Sequence, residues 1–227
     1  MLEVTRREVC GILHHQMTPS SPNAPTAKTI ISLTSNLYVP FANEKRAIPW
    51  PTDPNRRLEN DAEHSFQLAL IGMALGKQLG LDTGRIAEYA TVHDLVEVYA
   101  GDTSVWDTEG LKTKKAREAE ALETIRSKFA DTSLIAETIE AYEHLVDEEA
   151  KFVYALDKVL ALVMIVQAEG HFWKNNNITY EKHLAKVKEV RPKVEQHPVV
   201  AEWYTELLAD IDERQNELFY TPPKTAG

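Results

Sequence analysis

Apolar residues return every three to four positions along most of this chain, in stretches separated by proline, glycine and small polar residues. That spacing lines one side of a helix, whereas a half-buried strand would alternate. The clearest stretch opens at Asn60 or Asp61, either of which can cap a helix. Glu63 then sits in the first turn, where the helix dipole favours an anion. Two series run along it, His64-Leu68-Ile71-Leu75 and Phe66-Leu70-Met73-Ala74, and Gly80 is placed to stop it. Asp82 or Thr83 caps a second helix, about 84–100, with Ile86, Ala90, Val92, Leu95, Val96 and Tyr99 as apolar positions and Gly101 at its end. Residues 112–129 read as a charged, exposed helix and 133–146 as a helix carrying Ile135, Ile139, Tyr142 and Leu145. Residues 148–168 are apolar nearly all round, the mark of a central, buried helix, and Gly170 ends it. Two more helices, 179–191 and 198–219, divide at His197-Pro198, because the residue before a proline disfavours the helical region.

The N-terminal part is less regular. Residues 1–16 predict a short helix on Val4, Val9, Ile12 and Leu13; 17–27, with three prolines, a loop; and 28–39 another short helix. Pro40 to Glu59 holds Pro49, Pro51 and Pro54 and predicts an irregular loop or a short hairpin. Residues 102–111 read as loop and Thr221 to Gly227 as a frayed tail. With no internal repeat and no strand ladder, the expected class is all-α.

Composition narrows the setting. The 227 residues suit one large domain with trimmings, and 43% apolar with 26% charged residues is ordinary for a globular protein. A net charge of −10 repels a phosphate backbone, so no nucleic-acid partner is expected. The single cysteine, Cys10, makes no intrachain disulfide and fits a reducing compartment. The first twenty residues carry charges at Glu3, Arg6, Arg7 and Glu8 and show no signal peptide. The longest apolar run, Val159 to Val166, is too short to span a bilayer. A soluble, cytoplasmic protein with no membrane partner is the expectation.

Chemistry concentrates at four residues. Asp157 lies inside the most apolar helix, where a buried carboxylate needs a cation. Lys158 is one candidate, although adjacent residues on a helix point to different sides. A metal ion shared with His64 and the pair His93-Asp94 meets the same need. Two imidazoles and two carboxylates suit a divalent cation of the Mn, Fe, Co, Ni, Zn or Mg group. On a continuous helix His93, Asp94 and Glu97 share one side, with Asp102 a turn beyond, and these two acids remain for acid–base work. The other histidines attract plainer readings. His14-His15 is expected at the surface, and His144, His183 and His197 at the surface or at helix ends. His171, Phe172 and Trp173 are expected to pack the turn after the central helix, and Cys10 to be inert.

Taken in order, these residues resemble the H…HD…D signature of the HD-domain metal-dependent phosphohydrolases. Glu59-Asn60-Asp61-Ala62-Glu63-His64-Ser65 resembles the E-N/S-x-x-E-H-S element of the 5′-deoxynucleotidase branch. The run His93 to Asp102 is similar to its H-D-x-x-E-x-x-x-G-D, and Glu148 to Lys158 to its E-A-K/R-F-x-K-A-x-D. The likeness covers roughly residues 45–175. It implies an all-α HD-domain helical bundle; the domain is expected over 41–219, with 1–40 as a helical and loop extension and 220–227 as a flexible tail, and 1–40 and most of 176–227 lie outside the likeness. It also implies a homodimer, and one divalent ion held by His64, His93, Asp94 and Asp157. Glu97 and Asp102 match the family's further acids near the attacking water and the leaving oxygen. The implied substrate is a small phosphate ester, typically a deoxynucleoside 5′-monophosphate. The family places an Arg and a Trp before the first ligand helix, for phosphate and sugar. Trp50 stands at the expected distance, with the equally open reading that it packs the loop. Pro49 stands just before it, the nearest upstream arginine is Arg46, and Arg56 and Arg57 are rivals for the phosphate clamp.

Three other readings stay open at this stage. The same fold could hydrolyse nucleoside triphosphates or another phosphoester. It could be a non-catalytic nucleotide-sensing module with a structural metal. A metal-free helical interaction protein, using the charged 112–129 helix as its contact face, is the third.

Overall fold

The structure, a computed structural model, describes residues 25–53, 55 and 57–223. The helix expected over 1–16, Cys10 and His14-His15 lie outside them. Helix α1, Ala27–Leu33, runs through a wider π turn, Thr34–Tyr38, into α2, Val39–Asn43. This is longer than the expected 28–39, and Pro40 lies within it rather than after it. Pro40 has no N–H to offer the carbonyl of Asn36. That carbonyl instead accepts a hydrogen bond from the Tyr99 hydroxyl at 3.0 Å.

The proline-rich stretch forms the hairpin alternative. Strand β1, Lys45–Pro49, pairs antiparallel with β2, Leu58–Asn60. Lys45 stands opposite Asn60 and Pro49 opposite Leu58, so β1 carries two extra residues in an irregular register. The rest is helical: α3 Asp61–Leu79, α4 Thr83–Val92, α5 Glu97–Ala100, α6 Leu111–Lys128, α7 Leu134–Glu143, α8 Glu148–Gln167, α9 His171–Asn175, α10 Tyr180–Val194, α11 Pro198–Glu213 and α12 Gln215–Leu218. The all-α expectation holds, with the hairpin as a small addition.

Helix α8 is the axis of the core. Asp147 caps it by accepting from the Ala150 N–H at 2.8 Å, and Phe152, Val153, Ala155, Leu156, Leu160 and Ile165 are buried along it. Helices α3, α4, α10 and α11 pack around α8. Asn60 caps α3 in a reciprocal box with Glu63, and Gly80 closes it in the left-handed region at φ 78°. Of the two series on α3, only the one containing His64 and Leu68 faces the core. Phe66, Leu70 and Met73 are exposed. Where α3 crosses α4, a Cβ at Gly76 would stand 2.2 Å from the Ile86 side chain, so the glycine sets how closely the helices approach.

The second expected helix is broken. It stops at Val92 and resumes at Glu97, and the turn between closes by i to i+3 bonds, Leu95 N–H to Val92 O at 3.0 Å and Glu97 N–H to Asp94 O at 2.9 Å. His183 corrects another expectation, since it is buried within its helix; His197, also buried, does stand at a helix end, just before α11. The inner side of α10 is spaced His183, Val187, Val194, which carries the imidazole inward against Trp173, with ring centroids 5.0 Å apart. Phe172 and Trp173 pack inward after α8 as expected. Among the described residues, no helix is long and apolar enough to cross a membrane.

Candidate active site

Three helices meet at the histidines and aspartates. His64 stands in the first turn of α3, Asp157 midway along α8, and His93-Asp94 in the tight turn after α4. That turn explains a grouping that a regular helix would give less closely. In a three-residue turn, positions i and i+3 eclipse one another, so Asp94 and Glu97 stack.

The donor atoms of His64, His93 and Asp94 lie within 4.8 Å of one another. Asp157 joins them, with its Oδ1 2.8 Å from His64 Nε2. His93 Nδ1 lies 2.9 Å from the Ala90 carbonyl, and an Nδ1–H donating there leaves Nε2 as a lone-pair donor. That Nε2 lies 2.9 Å from Asp94 Oδ2, without hydrogen-bond geometry. Buried donors without hydrogen-bond partners include His64 Nδ1, His93 Nε2, Glu97 Oε2 and both Asp61 oxygens. Inward-facing nitrogen and oxygen donors with open lone pairs fit a divalent cation. A cavity of about 160 Å³ opens beside them, lined by Arg46, Asp94, Glu97, Asp102, Lys114, Asp157 and Lys158, with Val105, Trp106, Ile165 and Phe172 as its apolar walls.

Electrostatics in this pocket are set by burial and by crowded carboxylates. Burial, reinforced by Asp94 and Asp102, pushes the Glu97 carboxyl up to about 10. Burial likewise raises Asp61 to about 8, with Asp94 adding to it. Glu59 rises to about 7, again mainly through burial. His64 falls to about 4, through burial and then Arg46. Burial works against the charges of Asp94 and Asp157 too, yet both are driven down, Asp94 by His93 and Asp157 by Lys158 and His64. Arg46 is the hub: Nη1 donates to Asp94 Oδ2 at 2.8 Å, Nε lies 3.3 Å from Glu59 Oε2, and Asp61 is 3.7 Å away.

The expected residues do not all converge. Arg46, Glu97 and Asp102 line the cavity with Asp94 and Asp157; His64 and His93 stand behind those two aspartates, and Trp50 and Arg57 are not among the lining residues either. The Arg57 guanidinium stacks over the Trp50 ring at 4.4 Å and pairs with Glu63 at 2.8 Å. Arg56 lies outside the described residues. Lys158 does pair with Asp157, against the argument from adjacent spacing, because its flexible four-carbon stem can fold back.

Three side chains were not legible as site residues. Lys114 and Arg117 belong to the helix expected to be a solvated charged face. Lys114 reaches Glu97 Oε1 at 3.2 Å. Arg117 donates to Thr103 Oγ1 at 2.6 Å and to the carbonyl of Ala100, tying down the loop after Asp102. Asp61 reads in the sequence only as a helix cap. The i, i+4 pair of Lys114 with Glu118 was visible in the sequence, but it points equally well to an exposed side.

Comparison with known proteins agrees with this architecture. The family described as HD domain matches residues 43–197. The chain is 27% identical over 161 residues, 68% of its length and 77% of the relative's, to the 5′-deoxynucleotidase hdd1 of Schizosaccharomyces pombe. It is 32% identical over 118 residues to the human 5′-deoxynucleotidase HDDC2, covering 51% of this chain and 56% of that one. With the 5′-deoxynucleotidase YfbR of Salmonella paratyphi B it shares 30% over 122 residues, 51% of this chain and 61% of the relative. In fold it is similar to a predicted metal-dependent phosphohydrolase from Magnetospirillum magnetotacticum, with a TM-score of 0.70 at 24% identity over 86% of this chain and 98% of that one. With more than half of its length inside the family match and the HD pair at the centre of its buried site, this chain belongs to the HD-domain family.

Proposed function

We propose that this chain is a divalent-metal-dependent phosphohydrolase that releases phosphate from deoxynucleoside 5′-monophosphates. The observation that carries the reading is the meeting of His64, His93 and Asp94 with Asp157 at a cavity that also holds cationic and spare acidic side chains. The names of the matched relatives support the substrate class.

His64, His93, Asp94 and Asp157 would hold the cation. When bound, such an ion polarises a phosphoryl oxygen and makes a water easier to deprotonate. Arg46 takes the phosphate clamp, since its planar fork matches two phosphate oxygens and already lies at the cavity. Lys114 and Lys158 add positive charge to the same wall. Glu97 and Asp102 divide the proton work, one orienting the water and the other protonating the departing 5′-oxygen. The apolar walls at Val105, Trp106, Ile165 and Phe172 suit a sugar and base rather than a second charged group. Trp50 is assigned to packing the hairpin, with Arg57 stacked on it.

The homodimer belongs to the same proposal. Its support is the exposed series Phe66, Leu70 and Met73 on α3, with exposed Tyr38 lining a groove together with Phe66.

The test is a screen of nucleoside mono- and triphosphates with Mn²⁺, Co²⁺ or Mg²⁺, read as inorganic phosphate, pyrophosphate or triphosphate. Phosphate from deoxynucleoside monophosphates is the expected product. Asp94→Ala should lose both metal content and turnover while keeping its far-UV helicity. Full activity in that variant would place the chemistry elsewhere.

A further inference from the structure

A second cavity adjoins the first along α8. It measures about 100 Å³ and shares Val105, Trp106, Lys158, Ala161 and Ile165 with the cavity at the carboxylates. Lys158, Ala161 and Ile165 follow one stripe of α8, at i, i+3 and i+7. At 1.5 Å per residue that stripe is about 10 Å long, the scale of a single nucleotide from phosphate to base.

The second cavity differs in character from the first. No carboxylate is among its lining residues, whereas Asp94, Glu97, Asp102 and Asp157 line the other. Leu162 on α8, Val187 and Val190 on α10, and Trp173 make it apolar. His183 stands among these walls at 4% exposure, and its Nε2 has no hydrogen-bond partner. Burial keeps that imidazole neutral near pH 7, so the nitrogen can donate or accept. An unpaired buried nitrogen is costly until a ligand or a water meets it.

Trp106 belongs to the walls of both cavities. Its backbone N–H donates to Ser104 Oγ at 3.3 Å, and Lys186 Nζ lies 5.4 Å from the ring centroid. Arg117 ties down the loop on either side of it, at Thr103 and at Gly110. A flat ring with apolar faces and a polar edge suits such a pocket: its faces lie against indole and aliphatic side chains, and its edge meets the imidazole.

We propose that the second cavity takes the base of the nucleoside monophosphate, stacked on Trp106 and hydrogen-bonded at its edge by His183 Nε2. These two residues then set the preference for a nucleotide over a base-free sugar phosphate. The inference rests on the proposed phosphohydrolase reading.

The experiment compares thymidine 5′-monophosphate with 2-deoxyribose 5-phosphate, which keeps the sugar and the phosphate but has no base. Wild type should favour the nucleotide by at least tenfold in kcat/KM. Trp106→Ala and His183→Phe should each cut that preference by about tenfold, the usual worth of a base stacked on an aromatic ring. The loss should fall in KM rather than kcat, because the base is held equally in the ground and transition states. Trp106→Phe, which keeps a ring, should retain most of the preference. Equilibrium dialysis of thymidine, which has no phosphate to lose, should show the same order of affinities. No phosphate from either ester would overturn the hydrolase reading, and the thymidine affinities would then decide the cavity by themselves. Equal turnover of the two esters by wild type, or a preference kept in either loss variant, would overturn the base site and leave the hydrolase intact. Should His183→Phe fail to fold by circular dichroism, the two Trp106 variants decide.

Discussion

Asp157 sits in a helix that is otherwise largely hydrocarbon, and its surroundings follow from the need to offset one buried negative charge. It takes His64 on one oxygen and Lys158 on the other. The need was readable from the sequence, because an aspartate surrounded by apolar residues on a buried helix is costly without a partner. Which cation answers it was not, because side-chain reach rather than spacing decides. The same holds for the arginines. Arg46, Arg56 and Arg57 were equivalent as letters, yet burial beside Asp94 and Glu59 separates Arg46 from an Arg57 turned toward Glu63. Arg46→Ala should therefore lower kcat/KM by about 10–100-fold, the value of a charge-assisted pair of hydrogen bonds. Arg57→Ala should change it by less than threefold. Steady-state kinetics on a nucleoside monophosphate separates the two, and the reverse order would move the clamp to Arg57. Glu97→Gln should cost about 10²–10⁴ in kcat, the usual worth of a positioned acid or base. An unchanged kcat would remove Glu97 from the proton work.

At the scale of elements, caps and stops were legible because they are local. Asn60 and Asp82 each accept from backbone N–H groups at the start of their helix. Gly80 ends α3 in a left-handed conformation that a side chain would resist. The break after Val92 was not legible, because Val92 to Gly101 keeps helical spacing throughout and carries no proline. Tertiary contact instead ties the far end of the short helix that follows the break, with Arg117 on α6 donating to the Ala100 and Gly101 carbonyls. The close approach of α3 to α4 offers a direct check. Gly76→Ala would gain helix propensity, yet its methyl group would meet the Ile86 side chain at 2.2 Å in the centre of the core. Overpacking there should cost about 1–3 kcal/mol net, seen as a lower urea midpoint. A stabilised variant would mean that the two helices can separate freely.

Across the whole molecule, the C-terminal helices close an aromatic cluster over the end of α8. Trp173 stacks on Phe219 at 4.2 Å, and the His183 ring lies 5.0 Å from each. Burial lowers the His183 imidazole to about 4, while in the unfolded chain it returns to about 6.5. Between those values the unfolded state binds a proton that the folded state refuses. This contribution is therefore intact above pH 6.5 and is lost as the pH falls toward 4, by an amount on the order of 2–3 kcal/mol. His183→Phe should flatten the pH dependence of the unfolding free energy in that window relative to wild type. Parallel curves for the two proteins would show that His183 is not the proton acceptor.

Helical class, the order of the elements and the types of the proposed metal-binding donors were determined by the sequence alone. They rest on periodicity, capping chemistry and the residue pattern His64, His93-Asp94 and Asp157. Only the tertiary structure decided which side of α3 is buried, that Lys114 joins the cavity and Asp61 lies against Asp94 and Glu97, that His183 is sealed in, and which arginine faces the carboxylates. The reason is physical. Caps and amphipathic spacing act over a few residues, whereas burial and ion pairing depend on surfaces brought together from positions as far apart as residues 46, 94 and 157.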